Sequence, residues 1–173
     1  METFLEILKY ILPSFVVFGA TYFVMIKFLD TEHRKQLLLI RQENQKITTP
    51  LRLQAYERLI LFLERTSMDK IILRVNKPGM SAKLLQADLI RTIQQEFDHN
   101  LTQQLYTSNT SWETVKKAKD ESLKIINIAV TQMKPGASAA DLAQQIFEIM
   151  MKLEKSPSQL AIFILKKEIR QLF

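Results

Sequence analysis

Residues 10–26 read YILPSFVVFGATYFVMI, an uncharged run bounded by Lys9 and Lys27 that no later part of the chain matches. At 1.5 Å per residue, a helix over these positions is about 25 Å long. That falls slightly short of a ~30 Å hydrocarbon core. Phe28, Leu29 and lysine side chains reaching toward the interface close the difference. Phe15, Val16, Val17, Phe18, Tyr22, Phe23, Val24 and Met25 make the run apolar on all sides. A helix packed on a soluble core is striped instead, so the run reads as a transmembrane anchor.

A cleaved signal peptide needs a basic start and a small-residue cleavage site. This chain opens METFLEILK, with Glu2 and Glu6, and has no A-x-A-like site after the apolar run. The expectation is therefore an uncleaved anchor over residues 1–29, with 10–29 in the membrane. Pro13 falls near the outer end of the helix, where it can kink the first turns, and Tyr10 and Tyr22 suit the interfaces. Gly19 has no small residue four positions away, so a G-x-x-x-G dimer signal is lacking.

The flanking basic residues orient the anchor. Only Lys9 precedes it, whereas Arg34, Lys35, Arg41 and Lys46 follow closely. The positive-inside rule then predicts a single-pass protein with residues 30–173 in the cytoplasm and a very short segment outside. Lys9 and Lys27 balance Glu2 and Glu6, so the whole net charge of +6 belongs to the part after residue 29. The absence of cysteine fits a reducing compartment and excludes thiolate metal sites and thiol catalysis.

The cytoplasmic part punctuates as helices with almost no strand signal. Residues 30–48, DTEHRKQLLLIRQENQKIT, continue the anchor as a charged stalk, which Thr49 and Pro50 are expected to interrupt. A new helix then starts a bundle domain over 49–173. LRLQAYERLILFLER places Leu53, Tyr56, Ile60 and Leu63 on one face, broadened by Leu59 and Phe62, with Arg52, Glu57, Arg58, Glu64 and Arg65 outward. In SMDKIILRVNKPGM, a lone strand over Ile71, Ile72, Leu73 and Val75 would have no partner, so an extended connector or a helical turn is expected.

Ser81 caps a long helix whose core face runs Leu85, Leu89, Ile93, Phe97, Leu101 and Leu105. Thr110 and Glu113 have capping-box spacing and open the next helix, with Trp112, Val115, Ile126, Val130 and Met133 along its apolar side. Ser138 with Asp141 opens another, burying Leu142, Ile146, Phe147, Met150 and Leu153. Ser156 and Pro157 start the last, which runs through Leu160, Phe163, Ile164 and Leu165. The fold class is all-α: an N-terminal transmembrane helix, a stalk, and an antiparallel bundle of about five helices held together by short loops.

KPGMSAKLLQADLI at 77–90 and KPGASAADLAQQIF at 134–147 share K-P-G-x-S-A and keep their apolar positions in step, Leu85 with Leu142 and Leu89 with Ile146. One reading is a duplicated helical hairpin offering two related partner surfaces. The plainer one is that Pro-Gly followed by Ser is a good way to stop one segment and cap the next.

Signals for chemistry are sparse. Glu96 and His99 have the E-x-x-H spacing of a di-iron helix, but the site needs a second such motif and two more glutamates. The other histidine, His33, sits in the stalk, so Glu96, Asp98 and His99 read as a solvated helix end and no metal or other cofactor is expected. No G-x-S-x-G elbow and no Gly-rich phosphate loop is present, and an enzyme is not expected. A pI near 9.5 raises nucleic acid as a partner. Lys116, Lys117, Lys119 and Lys124 cluster on one helix and Lys166, Lys167 and Arg170 on another, yet acids are interleaved and no recognition motif stands out. For a tethered domain, positive charge is better matched to anionic lipid, with His33, Arg34, Lys35 and Arg41 best placed to meet it. In the stalk, Leu37, Ile40, Asn44 and Ile47 fit an a/d pattern, consistent either with a parallel homodimer or with packing against the chain's own bundle.

The N-terminal span and stalk, LRLQAYERL at 51–59 and the run from Lys77 to Tyr106 together resemble an uncharacterised family of small single-span membrane proteins from Bacteroidota. That resemblance implies a bacterial inner-membrane setting and carries no functional residues. The peripheral-stalk subunit of ATP synthases is a looser likeness, opposed by Pro50, Pro78, Pro135 and Pro157, since that stalk is one unbroken helix. The functional expectation is an adaptor, scaffold or accessory subunit of a membrane assembly that works by binding protein partners. Tyr56, Arg58 and Arg65 are the candidate partner contacts, together with the turn Lys77, Pro78, Gly79 and Met80. The alternatives are a lipid- or nucleic-acid-binding tethered domain, or a ligand- or metal-binding bundle using Glu96, Asp98 and His99.

Overall fold

The computed structural model describes the backbone of residues 2–172 and the side chains of 9–11 and 13–171. The carboxylates of Glu2 and Glu6 and the side chain of Leu12 lie outside that set. Among the described residues the protein is all-helical: α1 (Glu2–Arg65), α2 (Met68–Val75), α3 (Ala82–Asp98), a 3-10 turn (Leu101–Leu105), α4 (Asn109–Thr131), α5 (Ala139–Met151) and α6 (Pro157–Leu172). Residues 1–49 and 50–173 form two compact units.

In the first unit α1 is long and apolar enough to cross a membrane. Its side chains are exposed, with Phe15 at 72%, Phe18 at 69% and Phe23 at 65%. Hydroxyls inside the run are satisfied by the helix itself: Ser14 Oγ donates to the Ile11 carbonyl at 2.7 Å and Thr21 Oγ1 to that of Val17 at 2.8 Å. Neither Ser14 nor Thr21 therefore needs a water partner. The expected interruption at Thr49 and Pro50 does not occur, because the helical backbone continues through both to Arg65. A proline there removes one i to i−4 bond and crowds the carbonyl of Lys46, a local penalty of about 3 kcal/mol that an otherwise bonded helix tolerates.

The second unit has two cores. One joins Ile71, Leu85, Leu89, Ile93, Ile126, Leu142 and Ile146 from α2, α3, α4 and α5. The other joins Tyr56, Leu59, Phe62 and Leu63 of α1 to Phe97, Trp112, Val115, Ala161 and Leu165. The 23-residue α4 serves both, its N-terminal half in the second core and its C-terminal half in the first. Phe97 stacks on Trp112 at 5.4 Å and meets Phe62 edge-on at 5.8 Å. Such aromatic pairs contribute about 0.5–1.5 kcal/mol beyond their burial.

Several expectations are corrected. Of the two forms expected for residues 68–75, the helical one is present and the extended connector is not, because Met68, Ile71 and Ile72 share one buried face while Leu73 is 80% exposed. A strand would place Ile71 and Leu73 on the same side. The third helix stops at Asp98, so Leu101 and Leu105 are exposed and not core. The tighter 3-10 turn takes them out of the 3.6-residue phase. Leu53 is likewise exposed, at 39%, and Leu153 lies past the end of α5 on the surface. The cap of α4 is Ser108, two residues before the expected Thr110, with its Oγ accepting from Ser111 N at 3.0 Å. The caps at Ser81 and Ser138 are as expected, the latter a full capping box with Asp141.

Candidate functional site

The two K-P-G-x-S-A segments lie side by side. Ala82 N donates to the Ala137 carbonyl at 3.1 Å, and Ala139 N donates to the Met80 carbonyl at 3.0 Å, around an antiparallel bridge between Ser81 and Ser138. The bonds are reciprocal, since Met80 and Ala137 are equivalent positions, as are Ala82 and Ala139. Gly79 and Gly136 turn the chain at φ of 77° and 83°, a region that costs an L-residue with a side chain about 1–2 kcal/mol. Each loop releases the chain into a Ser-capped helix, Ser81 Oγ accepting from Leu84 N at 3.3 Å and Ser138 Oγ from Asp141 N at 3.3 Å. Asp141 accepts from Ser138 N at 2.8 Å, and that bond, followed by the one from the Ser138 hydroxyl, holds its carboxyl below the ordinary value.

The equivalence extends through the core, where Met68, Leu85 and Leu89 match Ile125, Leu142 and Ile146, all buried. Residues 68–93 and 125–150 are thus two helix–loop–helix units with matching buried positions, joined by reciprocal hydrogen bonds at the Ser81–Ser138 bridge. Of the expected partner-binding turn, Lys77, Pro78 and Gly79 are exposed, and Lys134, Pro135 and Gly136 repeat them on the other loop. Met80 is a correction: it is buried in the first core and supports the turn from beneath.

Tyr56 is the second correction. It is fully buried, so it cannot be the exposed partner contact expected of it. Its hydroxyl donates to Glu168 Oε1 at 2.5 Å and accepts from Ser108 N at 3.4 Å. The other carboxylate oxygen accepts from Ser108 Oγ at 2.9 Å and from Ser111 Oγ. One α6 carboxylate therefore fastens the C-terminal part of α1 to the first turn of α4, at the positive end of that helix. Arg52, whose Nε donates to the Tyr106 carbonyl at 3.3 Å, adds a nearby positive charge. Burial pushes the Glu168 carboxyl up, but hydrogen bonds from Ser111, Tyr56 and Ser108 together with Arg52 outweigh it and leave the group below its ordinary value. Burial, reinforced by the bond to Glu168, pushes the Tyr56 phenol up. Nothing in local sequence pointed to Glu168, because its partners lie 57 to 112 positions away.

Arg58 is exposed as expected. Arg65 is exposed but engaged, its guanidinium 2.6 Å from Glu96 Oε1, with Arg74 at 3.9 Å from the same oxygen. Two guanidiniums therefore stand on the Glu96 carboxylate, where a metal would have to bind, while Asp98 and His99 face solvent. On α4, Lys116 pairs with Glu113 at 2.8 Å and Lys119 with Asp120 at 3.0 Å, with Lys119 Nζ also 4.5 Å from the centre of the Phe97 ring. In the first unit His33, Arg34, Lys35 and Arg41 are all exposed, Arg34 in an i, i+4 pair with Asp30 at 3.1 Å.

The chain belongs to DUF7935, a family of unknown function whose model matches residues 2–172. No curated protein and no solved structure matches it.

Proposed function

We propose that this DUF7935 protein is a single-pass membrane-anchored adaptor, its residues 10–29 in a bacterial inner membrane and its helical bundle in the cytoplasm as a binding module for protein partners. The observation that carries the reading is the exposure of the apolar part of α1. Phe15, Val16, Val17, Phe18, Phe23, Val24 and Met25 are all 62% exposed or more. Leaving side chains of this kind in water forgoes about 1.5–3 kcal/mol each, on the order of 10–20 kcal/mol for the set. A bilayer relieves that penalty, and the helix satisfies its own backbone bonds there.

The stalk supports the lipid side of the reading. His33, Arg34, Lys35 and Arg41 follow the apolar run closely and are exposed, which suits contact with anionic headgroups at about 1 kcal/mol per basic residue near the surface. Leu37, Ile40 and Ile47 are exposed at 57%, 56% and 65%, in keeping with a stalk that pairs with a second copy.

Alkaline carbonate extraction of membranes tests the anchor. The full-length protein stays in the pellet, whereas Phe18→Arg, which adds about 3 kcal/mol to insertion at mid-helix, shifts a large fraction to the supernatant. Release of the unaltered protein by carbonate would overturn the reading.

A further inference from the structure

Between α4, the start of α6 and the segment joining α5 to α6 runs an open apolar trough of about 530 Å³. Its floor is Ala118, Ile125 and Ile128 of α4 with Leu160 and Ile164 of α6. Ile128 is 38% exposed and Leu160 49%, so the trough is uncovered. The α4 residues lining it run from Thr114 to Ile128, about 21 Å of helix, or some four turns. Lys117, Lys124 and Lys155 stand on its edges against the single carboxylate of Glu121. The other α4 lysines named above face acids of their own helix, but among the described residues Lys117, Lys124 and Lys155 have no ion-pair partner.

We propose that this trough binds an acidic amphipathic helix of a partner protein. An apolar floor from Ala118 to Ile128, about 15 Å or three turns of α4, matches the i, i+3, i+4, i+7 face of a helix laid along it. The lysine rim selects carboxylates on the flanks of that face and rejects basic helices. Lys117 and Lys124 stand seven positions apart on α4, and Lys155 lies in the segment before α6 with its Nζ 5.0 Å from the centre of the Phe163 ring. The assignment rests on the adaptor reading and names the partner chemistry of its binding module.

The test uses the full-length protein in nanodiscs of neutral lipid and two synthetic helical peptides with the same leucine face, one flanked by glutamate and one by lysine. Fluorescence anisotropy gives the Kd of each. The glutamate peptide should bind at least about ten-fold tighter than the lysine peptide, and Lys117→Glu, Lys124→Glu and Lys155→Glu combined should reverse the preference. Ile128→Asp, a change at a partly exposed position, should weaken binding by about ten-fold or more with the far-UV spectrum unchanged. Equal binding of the two peptides, or binding indifferent to both sets of substitutions, would overturn the assignment. So would dimerisation in detergent that Ile128→Asp abolishes, which would make a second copy the occupant. Carbonate extraction reads the anchor separately, so loss of peptide selectivity with membrane retention intact sinks the trough and spares the adaptor.

Discussion

Glu168 illustrates how one side chain can hold several elements together. Its carboxylate accepts from Tyr56, Ser108 and Ser111, three donors on two other helices and a cap. Hydrogen bonds to a charged group contribute about 1.5–3 kcal/mol each before solvent access reduces them. Glu168→Ala should therefore lower the unfolding free energy by about 2 kcal/mol, measured by urea denaturation, and Tyr56→Phe by about 1 kcal/mol. Because the folded carboxyl lies below its ordinary value of 4.5, its contribution is present above that pH and is lost as pH falls through the folded value. The Tyr56 phenol is raised above 10.0, so its contribution is present below that pH and is lost as pH rises through the folded value. A Tm profile across pH 2–7 should fall less steeply at the acid end for Glu168→Gln than for the unaltered protein; parallel profiles would contradict the role.

At the scale of elements, the paired Pro-Gly loops organise the first core. A Cβ at Gly79 or Gly136 would meet nothing within 4 Å, so the penalty of substitution there is conformational and not steric. Gly79→Ala and Gly136→Ala should each destabilise by about 1–2 kcal/mol, and by nearly equal amounts, because both glycines have a similar positive φ and open space around an added Cβ. A large inequality in thermal denaturation would mean that the two loops carry different loads. The helix starts at Ser81, Ser138 and Ser156 were legible because capping is a local signal, carried by residues three positions apart. The K-P-G-x-S-A repeat was legible too, but its reciprocal pairing was not, since a bridge between Ser81 and Ser138 joins positions far apart in the chain. Where local signals competed, tertiary contacts decided. Thr110 has a capping spacing as good as that of Ser108, yet Ser108 is the cap, and Glu168 fixes its hydroxyl. Met68, Ile71, Ile72 and Val75 carry a helical spacing, and of the two forms expected there the helical one is present.

For the whole molecule, the all-helical class and the apolar N-terminal run follow from composition and periodicity, and both are present in the structure. The candidate surfaces were harder to read. Tyr56 lies on the apolar face of its segment, and burial with a satisfied hydroxyl is what that placement implies; its expected exposure did not follow from the pattern. The trough between α4 and α6 is invisible in sequence because each helix shows only ordinary amphipathicity, and the uncovered strip arises from how they pack. The central claim is that a cytoplasmic binding module hangs from a membrane-spanning helix. The chain has no cysteine, so single-cysteine labelling with a membrane-impermeant maleimide tests it directly in cells. Glu2→Cys should react in cells whose inner membrane is intact, and Ser156→Cys only after that membrane is permeabilised. Labelling of Ser156→Cys in intact cells, or protection of both positions, would contradict the account.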